Sequence, residues 1–284
     1  MIRCILSTLR FGLVLLALSG LLNVAHAQAT YPTKGLRMIV PFAPGGATDI
    51  LARIASQHLT QVWGQPVVVE NKPGAGGNIG ADAGAKASAD GYTLTLAAAG
   101  FMAVNPSLYT NLTYNSVTDF SPVILLVKAP LLLVVNPAVQ AQSLSEFIEL
   151  AKRNPGKINL GNGGTGTAQH LGGVSFSLAA NIDLNHVPYK GLAPVIQDML
   201  GGQVQAAFGA LSVLEPHIKA GKLKALAISG SDRPKMLPNL PTIIESGYEN
   251  IDANFNIALL APRDTPKELV NKISNDVRKI IRDP

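Results

Sequence analysis

The chain alternates short apolar runs with segments in which apolar residues recur every three or four positions. In the first such unit, an apolar run over 38–42 is followed by Gly45-Gly46 and then by Leu51, Ile54 and Leu59. A short apolar run predicts a buried strand, and the three-and-four spacing predicts an amphipathic helix. The unit is therefore predicted to be a strand, a glycine loop and a helix, with Thr48 or Asp49 as the helix N-cap.

The same unit recurs along the chain. Further strands are predicted over 66–71, 92–98, 158–160, 184–188, 204–208, 223–228 and 255–260, and helices over 78–87, 143–152, 168–180, 194–200, 213–220 and from 266 onward. Two apolar stretches, 123–127 and 131–135, are separated only by Lys128-Ala129-Pro130 and are interpreted as a crossing between two lobes. Strands that alternate with helices favour parallel sheets, so the predicted fold is α/β with two lobes, each a mostly parallel sheet flanked by helices.

Two glycine-rich loops stand between a predicted strand and a predicted helix. They are Gly45-Gly46 before the first helix and the segment 161–167, which contains Gly163-Gly164-Thr165-Gly166-Thr167. Glycines let a loop turn its N–H groups inward, and the first amides of a helix have no intrahelical acceptor, so such a loop suits an anion. The alternative is a tight strand-to-helix turn with no ligand. Because ligands of open α/β sheets bind beyond the carboxyl ends of strands, both loops are expected at one cleft between the lobes.

The first 27 residues have the pattern of a secretory signal peptide. Arg3 and Arg10 precede an apolar run over 11–22, and Ala25-His26-Ala27 offers small residues for cleavage before Gln28. The run is shorter than the roughly 20 residues of a membrane span. The protein is therefore predicted to be exported to the periplasm. Cys4 would leave with the signal, so disulfides, thiolate metal sites and a cysteine nucleophile are not expected.

Charge adds little to this interpretation. The formal net charge is +5, and loss of Arg3 and Arg10 leaves 21 basic against 18 acidic residues in the mature chain. Lysines and arginines do not cluster among aromatic residues, so nucleic-acid binding is not predicted.

Several motifs, in order along the whole mature chain, resemble those of the Bug family, also called TctC, the solute-binding proteins of tripartite tricarboxylate transporters. In the first part they are Val40-Pro41-Phe42-Ala43-Pro44-Gly45-Gly46 with Thr48-Asp49, the segment 66–77 from Pro-Val-Val-Val to Gly-Ala-Gly-Gly, and Asp90-Gly91-Tyr92-Thr93-Leu94. In the second part they are 163–167 with His170-Leu171, His186-Val187-Pro188-Tyr189-Lys190-Gly191, the segments 200–204 and 221–227, and Leu240-Pro241-Thr242.

The resemblance implies a periplasmic binding protein of the type II-like fold that closes two lobes on a small organic acid. It would deliver the acid to membrane permease subunits of a tripartite tricarboxylate-type transporter. The expected lobes are residues 28–126 with 253–284, and residues 127–252, in a monomer. No cofactor, metal or enzymatic activity is expected. Citrate, other di- and tricarboxylates, amino acids, aromatic acids and amides such as nicotinamide all remain open as ligands.

The resemblance also implies a set of ligand-binding residues, contributed by both glycine loops and by three residues at the cleft wall. They are Gly45, Gly46, Ala47, Thr48, Asp49, Asn78, Thr165, Gly166, Thr167, His170 and Asp198. The roles of three of them stay open on the residues alone: Asp49 suits an N-cap, the His170 ring could reach a ligand or a backbone carbonyl, and Asp198 suits a solvated or lobe-bridging position.

One departure from the family concerns the C-terminus. Family members usually continue for several tens of residues past the position of Pro284, so this chain is expected to be a fragment or a shortened variant. A version extended with a family-like tail is expected to melt at a higher temperature.

Other classes of function have less support. Gly161-x-Gly163-x-x-Gly166 matches a dinucleotide fingerprint, which makes an oxidoreductase the main alternative, but Pro188-Tyr189-Lys190 ends the next strand where a ribose-binding acid belongs. No Gly-x-Ser-x-Gly motif indicates a hydrolase. The histidines are scattered without metal-ligand spacing.

Overall fold

The computed structural model describes residues 31–249, 251 and 253–282. The predicted signal peptide and Cys4 lie outside the described residues. The chain divides into two compact units, Met1–Thr33 and Lys34–Pro284. In the first, the described residues include a cis peptide bond between Tyr31 and Pro32. The fold below is that of the second unit.

Nine strands form one sheet among the described residues. They are β1 (Leu36–Val40), β2 (Val67–Asn71), β3 (Thr93–Ala98), β4 (Phe120–Val135), β5 (Asn159–Asn162), β6 (Asn185–Pro188), β7 (Ala206–Ala210), β8 (Lys224–Ile228) and β9 (Asn254–Pro262). The hydrogen-bonded order is β2-β1-β3-β9-β4-β7-β5-β6, and β8 pairs with β4. The apolar runs thus form strands, as their length predicts.

Helices connect most of these strands. They are α1 (Ala47–Trp63), α2 (Asn78–Ala85), α3 (Asn105–Leu108), α4 (Leu144–Arg153), α5 (Ala168–Ala180), α6 (Leu192–Leu200), α7 (Leu211–Lys219) and α8 (Lys267–Arg282). A 3₁₀ turn (Ala75–Gly77) precedes α2, and a π-helical turn (Gly100–Val104) precedes α3. In the part of the chain that the structure describes, no helix is both long and apolar enough to cross a membrane.

The sheet has two halves, which meet in β4. In the first half β1 pairs in parallel with β2 and β3, and β9 runs antiparallel to β3 and β4. In the second half β5 pairs in parallel with β6 and β7, while β7 and β8 run antiparallel to β4. The α/β prediction is confirmed, with antiparallel ladders where the chain passes from one half to the other.

β4 is one strand of 16 residues rather than two strands and a linker. It pairs with β9 up to Pro130 and with β7 and β8 from Leu131 onward. The crossing predicted at Lys128-Ala129-Pro130 therefore falls at a change of partner inside a continuous strand. A proline is tolerated there because it removes only one donor, and β4 carries register shifts between Pro122 and Ile124 and between Leu125 and Val127.

The second half contains the larger apolar core. Leu131, Leu132, Leu133, Val134 and Val135 are all fully buried, since this part of β4 lies between β7 and β8. Around them pack residues of α4, α5 and α6, among them Phe147, Phe176 and Met199. A smaller cluster in the first half centres on Phe101 and Tyr114, whose rings meet edge to face. Each half thus has an apolar core to support its loops.

Candidate functional site

A small cavity lies where the N-termini of α1, α5 and α6 converge, and its volume is about 30 Å³. Its walls also include the end of β3 and part of β9. The lining residues are Phe42, Gly46, Ala47, Thr48, Ala98, Ala99, Gly100, Gly163, Thr167, Ala168, Gln169, Gly191, Leu192, Phe255 and Asn256. None of these side chains is charged, so backbone dipoles dominate the electrostatics of the cavity.

The first wall is the loop between β1 and α1. The N-cap of α1 is Gly46, with φ −82° and ψ 169°, so the predicted caps Thr48 and Asp49 are wrong by two and three residues. Asp49 lies in the first turn instead, and its Oδ2 accepts from the Gly45 N–H at 2.9 Å. An acid at this position can reach back to the loop because the first helical turn brings it beside the preceding residues. The Ala47 and Thr48 amides have no intrahelical acceptor in this turn.

Asp49 is buried and fully engaged in holding that loop. Its carboxylate accepts from Arg53 at 2.9 and 3.1 Å and from Asn71 Nδ2 at 2.9 Å. Burial alone would raise its pKa, but the hydrogen bonds from Arg53, the Gly45 amide and Asn71 outweigh burial, so the pKa of Asp49 is lowered. Its negative charge is therefore matched by Arg53 and positions the loop.

Replacing Asp49 by asparagine is expected to lower the free energy of unfolding by about 1–3 kcal/mol, because Arg53 and two amide donors lose a charged acceptor. Since the folded pKa is depressed, the stabilisation is fully present above the unfolded value of about 3.9 and is lost as pH falls through the folded value. Urea unfolding at pH 7 and pH 3 measures both effects. Asp264→Asn, at an 85% exposed side chain, is the control, and equal midpoints for the two variants at pH 7 would contradict this role.

The second wall is the loop between β5 and α5. Thr167 caps α5, and both its N–H and its hydroxyl donate to the Gly164 carbonyl, at 3.1 and 2.7 Å. The Gly164 N–H donates to Asn162 Oδ1 at 3.0 Å, and the Gly166 N–H donates to His170 Nδ1 at 3.3 Å. Both glycines have positive φ, 124° and 86°, which L-residues rarely adopt. The Ala168 and Gln169 amides at the start of α5 are left for the cavity.

The third wall is the start of α6, which the sequence analysis did not assign to the site. Gly191 is its N-cap, with φ 136°, and Leu192 is buried against the cavity. The preceding Lys190 carbonyl accepts from the Ala43 N–H at 2.9 Å, which ties this wall to the loop before α1. The available signal was a single glycine directly before a helical pattern, which is weaker than a glycine-rich run.

The two halves of the sheet meet directly around the cavity. Tyr109 Oη–H donates to the Thr165 carbonyl at 3.2 Å, and Ala43 and Lys190 form the contact described above. A methyl group added to Gly76 would overlap the Thr165 carbonyl oxygen, and one added to Gly100 would lie 2.6 Å from the Gly166 carbonyl oxygen. The arrangement is thus a closed cleft in which glycines allow backbone to meet backbone.

Four of the predicted binding residues line the cavity: Gly46, Ala47, Thr48 and Thr167. The other seven are not among its lining residues. Gly45 and Asp49 hold the first loop, as described, and Gly166 and His170 bond to each other behind the second. Thr165 is exposed at the contact between the halves.

Asn78 and Asp198 make contacts away from the cavity. Asn78 Oδ1 accepts from Asn105 Nδ2 at 2.6 Å and from the Tyr114 hydroxyl at 2.8 Å, so it belongs to a buried network of the first half. Asp198 Oδ2 accepts from the Tyr189 hydroxyl at 2.5 Å within the second half. Burial, and next this hydrogen bond to Asp198, raise the pKa of Tyr189 to about 12.

Sequence reasoning missed most of the apolar lining: Phe42, Ala98, Ala99, Gly100, Leu192 and Phe255, with the amides Gln169 and Asn256. Phe42 is the last residue of the first predicted strand, directly before the glycine loop, which was a usable signal. The alanines and Phe255 carry no chemistry of their own, so only their place in the fold brings them to the cavity. Among the described residues, no group of three or more histidines or acids is placed to hold a metal ion.

Comparison with known proteins supplies the deciding observation. The family model described as the tripartite tricarboxylate transporter family receptor (TctC) matches residues 51–284. This chain belongs to the TctC family. Protein BugT of Bordetella pertussis is 38% identical over 95% of this chain and 82% of its own length. The family is one of solute-binding receptors, and the resemblance seen in the sequence motifs is confirmed.

Solved structures agree with the TctC assignment. The periplasmic binding protein BugD is 38% identical, with a TM-score of 0.86 over 89% of this chain and 85% of BugD. R. palustris Rpa4515, solved with adipate, is 34% identical, with a TM-score of 0.84 over 87% of this chain and 83% of that one. The predicted periplasmic-binding-protein fold is confirmed. Within it, Gly161-x-Gly163-x-x-Gly166 is the β5–α5 loop of a TctC receptor, and family membership gives no support to the oxidoreductase alternative.

Proposed function

We propose that this receptor captures a small organic acid in the cavity between the two halves, with the carboxylate bound by the N-termini of α1, α5 and α6. The observation that carries the proposal is the convergence of these three helix starts, from both halves, on one cavity lined without charged side chains. Each helix start offers unpaired amides and the positive end of a dipole.

The binding energy is the sum of several modest contributions. A helix N-terminus contributes about 0.3–1 kcal/mol to the binding of an anion, and about 2 when partly buried. Hydrogen bonds to a charged group add about 1.5–3 kcal/mol each. A micromolar dissociation constant requires about 8 kcal/mol, which three helix starts and a few amide bonds can reach together.

The lining favours a carboxylate over a phosphate ester. Neither a lysine nor an arginine lines the cavity, so little formal charge is present to offset a phosphate dianion. Phe42, Phe255 and four alanines offer apolar contact to a short carbon chain, while Gln169 and Asn256 offer side-chain amides to its other polar groups. The adipate bound to Rpa4515 is an acid of this kind.

In this proposal the halves of the sheet act as lobes, residues 28–126 with 253–284 and residues 127–252. The acid enters an open cleft, contacts both lobes and stabilises the closed form, in which the Ala43–Lys190 and Tyr109–Thr165 hydrogen bonds are made. No covalent bond changes. Residues 1–27 act as a cleaved signal peptide, and the closed receptor delivers its acid to the permease subunits of a tripartite tricarboxylate-type transporter.

A thermal-shift screen followed by calorimetry tests the proposal. The screen contains mono- and dicarboxylates of three to six carbons, citrate, amino acids, benzoate, nicotinamide and inorganic phosphate. At a hundredfold excess over Kd, an acid adds about 2.7 kcal/mol, or roughly 5–10 °C in Tm for a chain of this size. At least one carboxylate is expected to show this shift and phosphate none. A screen in which no acid raises Tm would contradict the proposal.

A further inference from the structure

His170 lies on the first turn of α5, directly behind the β5–α5 loop, and is not itself among the lining residues of the cavity. We propose that neutral His170 is a positioning residue that holds this loop in its ligand-binding shape, and that its protonation weakens binding of the acid. The proposal rests on the proposed function, because the loop supplies the second wall of the cavity. Its basis is the hydrogen bond from the Gly166 N–H to His170 Nδ1, 3.3 Å long.

This hydrogen bond fixes the protonation state of the ring. Nδ1 accepts only when it carries no proton, so the neutral ring carries its proton on Nε2. In the imidazolium form both nitrogens are donors, and Nδ1–H would face the Gly166 N–H donor to donor. Gly166 must then move, and it is followed directly by Thr167, which lines the cavity and caps α5.

A second histidine, His186, also favours the neutral form of His170. His186 of β6 meets it edge to face, with ring centroids 5.8 Å apart. His186 Nδ1 is buried and has no hydrogen-bond partner among the described residues. Burial lowers the pKa of both rings, and His186 lowers that of His170 further, whereas Asp183 opposes the shift at His186.

Other neighbours of α5 do not oppose the lowering of the pKa of His170. The strands packed against the helix are β5, β6, β7 and β9, and His186 of β6 is their one ionisable side chain. α5 itself has none besides His170, and the Tyr248 ring packs on Phe176, almost two turns further along the helix. The ionisable groups that act on the pair are therefore His186 and Asp183. Protonation of either ring makes protonation of the other less favourable, so both histidines are neutral at pH 7.

Both the stability of the protein and its affinity for the acid are expected to decrease as pH falls. The unfolded value for histidine is about 6.5, and the folded value is lower, so stability is complete above about pH 6.5 and declines as pH falls below it. Ligand affinity is constant above pH 7 and declines as pH falls through the folded pKa of His170. Loss of one such bond inside a binding wall corresponds to roughly tenfold to a hundredfold in Kd.

Two substitutions separate positioning from simple packing. His170→Asn places Oδ1 where Nδ1 stands and accepts at every pH, whereas His170→Leu fills the space without an acceptor. His58→Asn, at an exposed histidine of α1, is the control for loss of an imidazole. Titrations with succinate and adipate are followed by calorimetry from pH 7.5 to pH 5. Because the titration of the acid itself is common to all variants, the ratio of Kd values isolates the histidine.

At pH 7.5, His170→Asn is expected to bind within about threefold of wild type and His170→Leu at least tenfold more weakly. As pH falls through the folded pKa of His170, His170→Asn is expected to bind progressively more tightly than wild type, by roughly tenfold or more once His170 is protonated, with His58→Asn following wild type throughout. Equal weakening by Asn and Leu, or a ratio that does not change with pH, would overturn the inference.

An NMR titration of the ligand-free protein keeps the result separate from the proposed function. The Gly166 amide resonance is expected to follow the ionisation of His170 in wild type and to be independent of pH in His170→Asn. A Gly166 amide chemical shift that does not change as His170 ionises would overturn the positioning role. If no acid of the screen binds at any pH while the resonance follows His170, the proposed function and the affinity claim fall and the loop contact stands.

Discussion

Replacing Gly76 by alanine is expected to raise the Kd for the acid by at least a hundredfold while the protein remains folded. Gly76 lies in the 3₁₀ turn before α2, with φ 63°, and a methyl group there would overlap the Thr165 carbonyl oxygen of the other half. The obstacle is backbone, which cannot rotate aside as a side chain does. The halves would be held apart, and an acid could not contact both walls at once. Calorimetry with the strongest acid of the screen measures the loss.

Gly64 provides a matched control for this substitution. It caps the C-terminus of α1 with the same φ of 63°, and a methyl group on it would meet nothing within 4 Å. Both variants share the left-handed backbone cost of about 1–2 kcal/mol, so both should melt at a lower temperature. Only Gly76→Ala is expected to lose binding. If the two variants bind equally well, the contact between Gly76 and Thr165 is not required for capture.

Replacing Gly46 by valine is expected to weaken binding by a hundredfold or more through a different cause. The backbone of Gly46 is extended, so a branched side chain is sterically allowed there, and the atoms nearest to an added Cβ are 3.8 and 4.0 Å away. An isopropyl group would therefore occupy the cavity itself and cover the amides at the start of α1. The loss of the N-cap glycine should lower the free energy of unfolding by only about 1 kcal/mol.

The series Gly46→Ala, Gly46→Val then separates filling of the cavity from unfolding. Affinity is expected to fall in steps with side-chain volume, while Tm without ligand changes by a few degrees at most. An acid that binds Gly46→Val with wild-type affinity would place the ligand somewhere other than the start of α1.

Much of the fold could be predicted because its local signals agree with one another. The apolar run before Gly45 has room only for a short strand, and the spacing of Leu51, Ile54 and Leu59 suits only a helix. The continuity of β4 was not predictable in this way, since Pro130 normally interrupts a strand. It is tolerated because β4 changes partners at this point, which is a tertiary fact.

The lining of the candidate cavity was predicted less completely than the fold, for a physical reason. Sequence indicates that a loop is rich in glycine, but it does not indicate which side of the loop faces a cavity. Gly46 and Thr167 line the cavity, whereas Gly166 and His170 in the same kind of loop face each other behind it. The start of α6 was missed because a lone Gly191 carries no repeated pattern, and its place beside Ala43 arises only when the halves meet.

The course of β4 restricts how the receptor can open. An unbroken strand that is hydrogen-bonded on both sides of Pro130 cannot swivel freely like a flexible tether between two bodies. It can only bend, and the bend is expected near Pro130, where β4 changes its hydrogen-bonding partners. The two halves are therefore expected to open by rotation about a single axis. The N-termini of α1, α5 and α6 would separate on opening and return to the same relative positions on closing.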